Sequence, residues 1–577
     1  MREEVVIMAG GEAGQGVQSV GAILARSLSQ GGLHVFADQD YESRVRGGHN
    51  FFRIRGSKKA VRAINPSLDI LVALNRETVE LHRRELAQGG KIIFDAETSR
   101  IDLTGPQYLD VPLVKIAADT TGNQIMANTV AVGAVLGMGN FKFEVLAAAL
   151  KKEFAKHGQK IVDDNIKAAR AGYDFTRSHG ETIPFPSYRD PLSRAERILL
   201  NGNDAFALGA LVGGCRFTAG YPMTPASSVL EYFADTGRKY GAVAVHAEDE
   251  IAAMNMAVGA GYTGARSLVA TSGGGFALMV EALALAGITE TPVVVFLGQR
   301  PGPATGLPTR TEQGELWFAL HAGHGEFPRA VLTPSSHEEA FQAGINAFNL
   351  AEKYQTPVLV LSDHHLATSY ATIDRPDFKE VVIDRGELIP DKDVDGYADY
   401  KRHLVTRSGI SPRALPGQGK ALVVTDSDEH DEAGHMIEDA ATRNRQVEKR
   451  LRKVRGLRKD MLRPSLRTAE GAEITLIGWG STGGAIHEAV EILKEHDLPV
   501  NMLHLNQVWP FPATQVINAL EKTPHCIVVE GNATGQLEQL LRRETGKTAS
   551  ASIRKYDGRP LTPEIIARSV RKEVNSW

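Results

Sequence analysis

Short continuous apolar runs alternate along this chain with longer stretches in which apolar positions return every third or fourth residue. The first pattern reads as buried strand and the second as helix packed on a sheet. EVVIMAGG at the start is a strand ending in a glycine turn, and GVQSVGAILARSLSQGG behind it is a helix with a glycine stop. LDILVAL (68–74) and KIIFDA (91–96) repeat the strand pattern; NQIMANTVAVGAVLGM and FEVLAAALKKEFAKH repeat the helical one. Further on, RAERILLNGNDAFALGALVGG predicts a helix, and SLVAT, TPVVVFLG and TPVLVLSD predict buried strands. EITLIGWGSTGGAIHEAVEILKEHDLPVNMLHL then reads strand, glycine turn, helix, strand, and HCIVVEGNATGQLEQLLRR returns to the theme. Strands alternating with helices predict a multi-domain α/β protein built on parallel sheets.

At 577 residues the chain exceeds one core, which predicts about three or four domains. The pattern places a first unit at 1–178 and a linker at 179–192, within a stretch (TRSHGETIPFPSYRDP) that carries three prolines and no periodicity. A second α/β unit covers 193–375, a connecting segment 376–470, and a last α/β unit 471–577. In the connecting segment an acidic cluster, DSDEHDEAGHMIED, precedes eleven Lys or Arg between positions 443 and 467. Charge runs usually face solvent, so the plain reading is a solvated helix and linker. The sharper reading is an arm that wraps a partner or holds a phosphate.

Apolar residues at 42% and charged residues at 23% are ordinary for a globular chain. Glycine, at 57 residues, is above the usual ~7%, and many glycines follow predicted strands, as ligand-facing turns require. A net charge of −4 gives no field that favours nucleic acid or an anionic membrane. No apolar run is long enough to span a bilayer, and MREEVVIMAG enters a strand without an apolar leader; a cytoplasmic protein is expected. The two cysteines, Cys215 and Cys526, lie far apart. They exclude a disulfide framework and a four-thiolate iron–sulfur cluster on this chain alone.

The densest candidate chemistry is AEDEIAAMNMAVGAGYTGARSLVATSGGG (247–275). Glu250 opens a small-residue helix, Gly259 follows nine positions later, and a strand then runs into a glycine turn holding Gly274. Taken alone, Glu248, Asp249 and Glu250 are acids of a first helical turn, favoured by the helix dipole. His246 reads as a core or interface histidine. Asp363, His364 and His365 follow a strand, and adjacent positions on an extended chain point to opposite faces; they read as structural and make a poor metal site. In the first unit Gly10, Gly11, Gly14 and Gly16 form no proper GxGxxG, so nicotinamide binding is not expected. YESRVRGGHNFFRIR sets Arg44 and Arg46 beside Gly47 and Gly48. Guanidinium groups with free backbone N–H groups suit a phosphate; subunit packing is the equal alternative.

Glu250, Gly259 and the TAGYPMTP loop together resemble the pyrimidine-binding domain of thiamine diphosphate enzymes. Tyr221-Pro222-Met223-Thr224-Pro225 is similar to the YPITP segment of 2-oxoacid:ferredoxin oxidoreductases, with Met223 in place of Ile. TSGGGFALMVEALALAG, GQRPGPATGLPTRTEQGEL, DEHDEAGH and EKRLRKV resemble the α subunit of that family, with a γ-type domain fused in front and a transketolase-C-like domain at the end. The resemblance covers essentially the whole chain and is strongest to 2-oxoglutarate:ferredoxin oxidoreductase. It implies that Glu250 meets the aminopyrimidine, with Glu248 as fallback and Gly259 and Gly274 beside it. Thr224 and Arg300 are then the catalytic partners, Thr224 donating to the substrate and Arg300 clamping its carboxylate. Tyr221 and Pro222 line that pocket, and Thr309 and Arg310 reach a second carboxylate. Arg46, Gly47 and Gly48 fall in the region implied to contact coenzyme A.

The family's magnesium–diphosphate signature, GDG followed by Asn, does not occur in this sequence. The resemblance therefore implies a β subunit that supplies the diphosphate site, Mg²⁺ and a [4Fe–4S] cluster, in an (αβ)₂ assembly. No metal site is expected on this chain. The implied reaction interconverts 2-oxoglutarate, coenzyme A and oxidised ferredoxin with succinyl-CoA, CO₂ and reduced ferredoxin. The alternatives are the same scaffold acting on pyruvate or branched-chain 2-oxoacids, a non-catalytic subunit that binds coenzyme A, and a self-sufficient thiamine enzyme.

Overall fold

The structure is a computed structural model and describes residues 3–43, 47–100, 102–179, 182–186, 197–397 and 399–576. The chain divides into two compact units: Met1–Leu200 with Ser369–Arg375, and Asn201–Thr368 with Pro376–Trp577.

The first unit is one eight-stranded sheet with helices on it. Its order is Tyr108–Asp110, Leu86–Phe94, Leu68–Ala73, Glu4–Glu12, His49–Ser57, His34–Asp40, Tyr370–Asp374, Arg197–Asn201. Side chains on a strand alternate between faces. Val5, Ile7 and Ala9 accordingly join Leu24, Leu28, Phe52 and the helix Ala127–Met138 in one core, while Val6 and Met8 join Leu71 and Phe94 in another. Both faces are covered, so Glu4–Glu12 is apolar throughout its interior.

Four expectations are corrected here. The sheet is mixed, since His49–Ser57 pairs antiparallel with both Glu4–Glu12 and His34–Asp40. RILLN, expected in a helix, is the strand Arg197–Asn201; the helix starts at Gly202, where the Asn201 side chain accepts from the Asp204 N–H at 2.7 Å. Tyr370–Asp374, assigned by pattern to the second unit, pairs antiparallel with His34–Asp40 of the first. Ile183 and Phe185, read as linker, are buried, and Ile183 N–H donates to the Met138 carbonyl at 3.1 Å.

The second unit holds a seven-stranded sheet and a five-stranded sheet. The larger has the order Gln507–Trp509, Ala330–Leu332, Pro357–Asp363, Val293–Gln299, Arg266–Thr271, Cys215–Gly220, Val243–His246, parallel except for Gln507–Trp509. The smaller runs Ser465–Arg467, Asn501–Leu505, Ile474–Trp479, His525–Glu530, Ala551–Arg554. One hydrophobic cluster takes Val269, Val295 and Leu361 from the first sheet and Ile477, Trp479, Leu503 and Val528 from the second. Shared burial of this kind makes the two sheets a single compact unit.

The connecting segment is packed through buried ion pairs. Glu352 accepts from Arg266 Nε at 2.7 Å and Arg413 Nη2 at 2.9 Å. The basic run forms the helix Ala440–Asp460, whose Gln446, Lys449, Arg450, Lys453 and Leu457 are buried on one face. Lys449 and Lys453 both pair with the fully buried Glu290, whose other neighbour is His403 Nδ1 at 3.0 Å. Arg450 makes two parallel bonds of 2.8 Å to Glu429 in the DEHDEAGH stretch. The helix is therefore solvated on one side, where Arg443, Arg445, Arg455, Arg458 and Lys459 are exposed, and ion-paired on the other, where its buried basic side chains neutralise acids of the same chain.

Candidate active site

Asp249 caps the helix Glu250–Tyr262 by accepting from the Ala252 N–H at 2.7 Å. That cap fixes the first turn and turns Glu250 inward, to 4% exposure, while Glu248 stays exposed. The glycine turn after Arg266–Thr271 opens the helix Gly273–Ile288. A Cβ at Gly275 would stand 2.6 Å from Glu250 Oε1, and one at Gly273 would stand 1.3 Å from Glu315 Oε1. Only glycine allows either carboxyl its place. Two acids thus flank one glycine run, and Gly274 between them has open space in front of it, as does Gly259.

Three buried polar atoms around this turn have no hydrogen-bond partner: Glu250 Oε1, Ser272 Oγ and Glu315 Oε2. Buried polar atoms are normally satisfied, so such a cluster marks a place built for something the chain does not itself contain. A carboxylate oxygen held dry and unpaired beside a glycine cradle fits the protonatable ring nitrogen of an aminopyrimidine.

Arg300 follows the strand Val293–Gln299, and its Nη1 donates to the Thr224 carbonyl at 2.7 Å. The structure therefore brings these two predicted residues together, through the main chain of Thr224. Burial pulls the Arg300 guanidinium below its ordinary pKa, and Glu315 opposes that shift. Burial also pushes the Glu315 carboxyl up to about 8, with Arg300 acting against it and Glu312 with it. Tyr221 and Pro222 are exposed, and the Tyr221 ring lies 6.2 Å from His246, which is exposed in this chain and not in its core. Thr309 is buried, and Arg310 Nη1 donates to its carbonyl at 3.0 Å.

His364 was expected to be structural. It is buried, and its pKa drops to about 3, first through burial, then through His365, Arg310 and Arg300. Burial and a neutral ring agree with the structural reading. Asp363 accepts from Thr311 Oγ1 at 3.2 Å and from the Leu366 N–H at 3.1 Å, which is a structural role.

Sequence reasoning missed Glu315, Gln299 and Gln313. Gln299 accepts from the Glu315 N–H at 3.1 Å and donates to the Ser362 carbonyl at 3.0 Å. Gln313 donates to the Trp479 carbonyl at 2.8 Å and accepts from the Gly531 N–H at 2.8 Å, tying the loop after Arg300 to the smaller sheet. No local pattern sets these residues apart from other polar positions in a Pro/Gly-rich loop.

In the first unit Gly47 and Gly48 have φ of 77° and 78°, the left-handed region that glycine favours. Arg44 and Arg46 lie outside the described residues. Cys215 and Cys526 are both free and buried, and burial pushes each thiol up to about 12. Among the described residues no group of three or more His, Cys, Asp or Glu is arranged to hold a metal ion, and no helix is long and apolar enough to cross a membrane.

An α/β chain with a glycine-cradled buried acid is compatible with a thiamine-type domain, and comparison with known proteins gives the class, an oxidoreductase. Residues 208–449 match the family described as pyruvate flavodoxin/ferredoxin oxidoreductase, thiamine diphosphate-binding; 6–175 match pyruvate ferredoxin/flavodoxin oxidoreductase; 472–566 match core domain II of pyruvate:ferredoxin oxidoreductase. The chain belongs to the 2-oxoacid:ferredoxin oxidoreductase family. It is 33% identical to a 2-oxoacid:ferredoxin oxidoreductase subunit alpha of Sulfolobus sp., over 98% of this chain and 96% of the relative. It is 30% identical to the 2-oxoglutarate oxidoreductase subunit KorA of Mycobacterium tuberculosis, over 99% and 91%. The 2-oxoglutarate:ferredoxin oxidoreductase from Magnetococcus marinus, solved with 2-oxoglutarate, coenzyme A and succinyl-CoA bound, superimposes with a TM-score of 0.92 at 32% identity, covering all of both chains.

Proposed function

We propose that this chain is the α subunit of a 2-oxoglutarate:ferredoxin oxidoreductase, interconverting 2-oxoglutarate, coenzyme A and oxidised ferredoxin with succinyl-CoA, CO₂ and reduced ferredoxin. One observation carries the reading: Glu250, 4% exposed, keeps Oε1 unpaired against a glycine turn. Thiamine diphosphate, when bound, supplies the carbon nucleophile that adds to the keto carbon. Glu250 holds a proton toward the pyrimidine ring. Arg300 pairs with the carboxylate next to the keto group, and its bond to the Thr224 carbonyl sets its direction. The Thr224 hydroxyl donates to the substrate. Arg310 and Thr309 serve the far carboxylate, and Tyr221 and Pro222 close the wall.

Ile251, Met256 and Leu278 are 50%, 43% and 50% exposed on the helices that carry Gly259 and Gly274. We assign the cover of these exposed apolar side chains to a β subunit that brings the diphosphate site, Mg²⁺ and the [4Fe–4S] cluster. Two such pairs form an (αβ)₂ assembly that hands electrons to ferredoxin in the cytoplasm. Gly47 and Gly48 are candidates for contact with coenzyme A.

The test is co-production with a partner chain carrying the GDG signature, followed by dye-linked turnover with several 2-oxoacids. Preference for 2-oxoglutarate, lost in Glu250→Ala with assembly intact, supports the reading. Preference for pyruvate, or full turnover in Glu250→Ala, overturns it.

A further inference from the structure

The mechanism above leaves one buried acid of the site unused. Glu315 lies at the end of the loop that begins at Arg300. Its N–H is fixed on Gln299 at 3.1 Å, its Oε1 fills the space that Gly273 leaves free, and its buried Oε2 has no partner. It is the acid that acts most on Arg300. The charged groups facing Glu315 are Arg300 at the strand end and Glu312 in its own loop; Glu250 stands on the far side of the glycine run. Arg300 in turn faces His364 at the end of the neighbouring strand.

The geometry points to Glu315 as a positioning residue for 2-oxoacid capture: as the neutral acid it leaves the Arg300 guanidinium to the substrate carboxylate, and as the carboxylate it competes for it. This rests on the reading of Arg300 as the substrate clamp. A clamp must present an uncompensated cation to an incoming anion. A permanent carboxylate held one residue away through the Gln299 bridge would offset that cation in advance and weaken binding. Burial without a hydrogen-bond donor keeps Glu315 protonated at neutral pH, with its ionisation near pH 8. Arg300 and Glu312 pull that ionisation in opposite directions. The protein therefore carries a built-in alkaline limit on substrate affinity, set by a residue that need not touch the substrate.

The experiment is calorimetric binding of 2-oxoglutarate to the assembled complex without thiamine diphosphate, so that binding is read apart from turnover. Apparent Kd scales inversely with the neutral fraction of Glu315, so the wild type weakens about tenfold between pH 7 and pH 9. In Glu315→Gln that pH dependence disappears. In Glu312→Gln the break moves to lower pH, because a like charge has been removed. A wild-type Kd flat across the range, or an alkaline rise that survives in Glu315→Gln or stays in place in Glu312→Gln, overturns the proposal. Arg300→Ala separates the two readings. If it leaves the pH 7 affinity unchanged, the clamp itself is wrong. If it weakens affinity while the wild-type profile is flat, only the role of Glu315 falls.

Discussion

Glu250 and Gly275 occupy each other's space: the carboxyl Oε1 lies 2.6 Å from where a methyl on Gly275 would stand, and Thr271 Oγ1 lies 2.2 Å from the same point. Neither neighbour is the far end of a flexible chain in open solvent, so Gly275→Ala must displace the acid. Turnover of the assembled complex should fall ~100-fold, the scale expected for about an ångström of misplacement. Steady-state kinetics alongside a thiamine diphosphate titration will check this; wild-type turnover would contradict the placement.

Arg310 is assigned to the far carboxylate, which pyruvate lacks. Arg310→Ala should lower kcat/KM for 2-oxoglutarate relative to pyruvate by about 10- to 100-fold, the worth of a lost charge-assisted hydrogen bond. Competing the two substrates in one assay reads the ratio directly. An unchanged ratio would move the specificity determinant elsewhere.

Glu290 sits fully buried between Lys449, Lys453 and His403, and the two ammonium groups hold its carboxyl well below the ordinary range. Glu290→Gln strands both lysines without a counter-charge. Removing one member of a buried pair costs about 3–5 kcal/mol, which should appear as a lower denaturant midpoint. Glu521→Gln, whose partner Lys547 is exposed, should cost under ~1 kcal/mol.

His364 is buried and neutral, its pKa lowered from 6.5 to about 3. Below pH 6.5 the unfolded chain takes up a proton there that the folded chain refuses. Stability therefore declines as pH falls through this window, by ~1.4 kcal/mol per pH unit for this group. Denaturation curves at successive pH values from 6.5 down to about 4.5 should show a shallower decline in His364→Asn than in the wild type. Identical slopes would count against the assignment.

Elements whose pattern is local were readable. The strand Glu4–Glu12 and the helix beginning at Glu250 announce themselves through continuous apolarity or through an acid before small residues. RILLN was misread because a short apolar run fits either period. Tyr370–Asp374 was assigned to the wrong unit because strand pairing across the chain leaves no mark in neighbouring residues. The same holds for the basic helix. Lys449 looks solvated until Glu290, 159 positions earlier, is placed beside it. Glu250 stands out in the sequence through its place at a helix start and through the family resemblance around it, whereas Glu315 stands out only through its burial and its place behind Gly273, which the fold alone supplies.

Ile251, Met256 and Leu278, each large, apolar and about half exposed on the two helices beside the glycine turn, also bear on how this protein is made. On the proposed reading a partner subunit covers them, and a chain that leaves the ribosome without that partner shows them to solvent and to other nascent chains. Balanced synthesis of the two chains then follows from the proposal, and an excess of this one is the less soluble product.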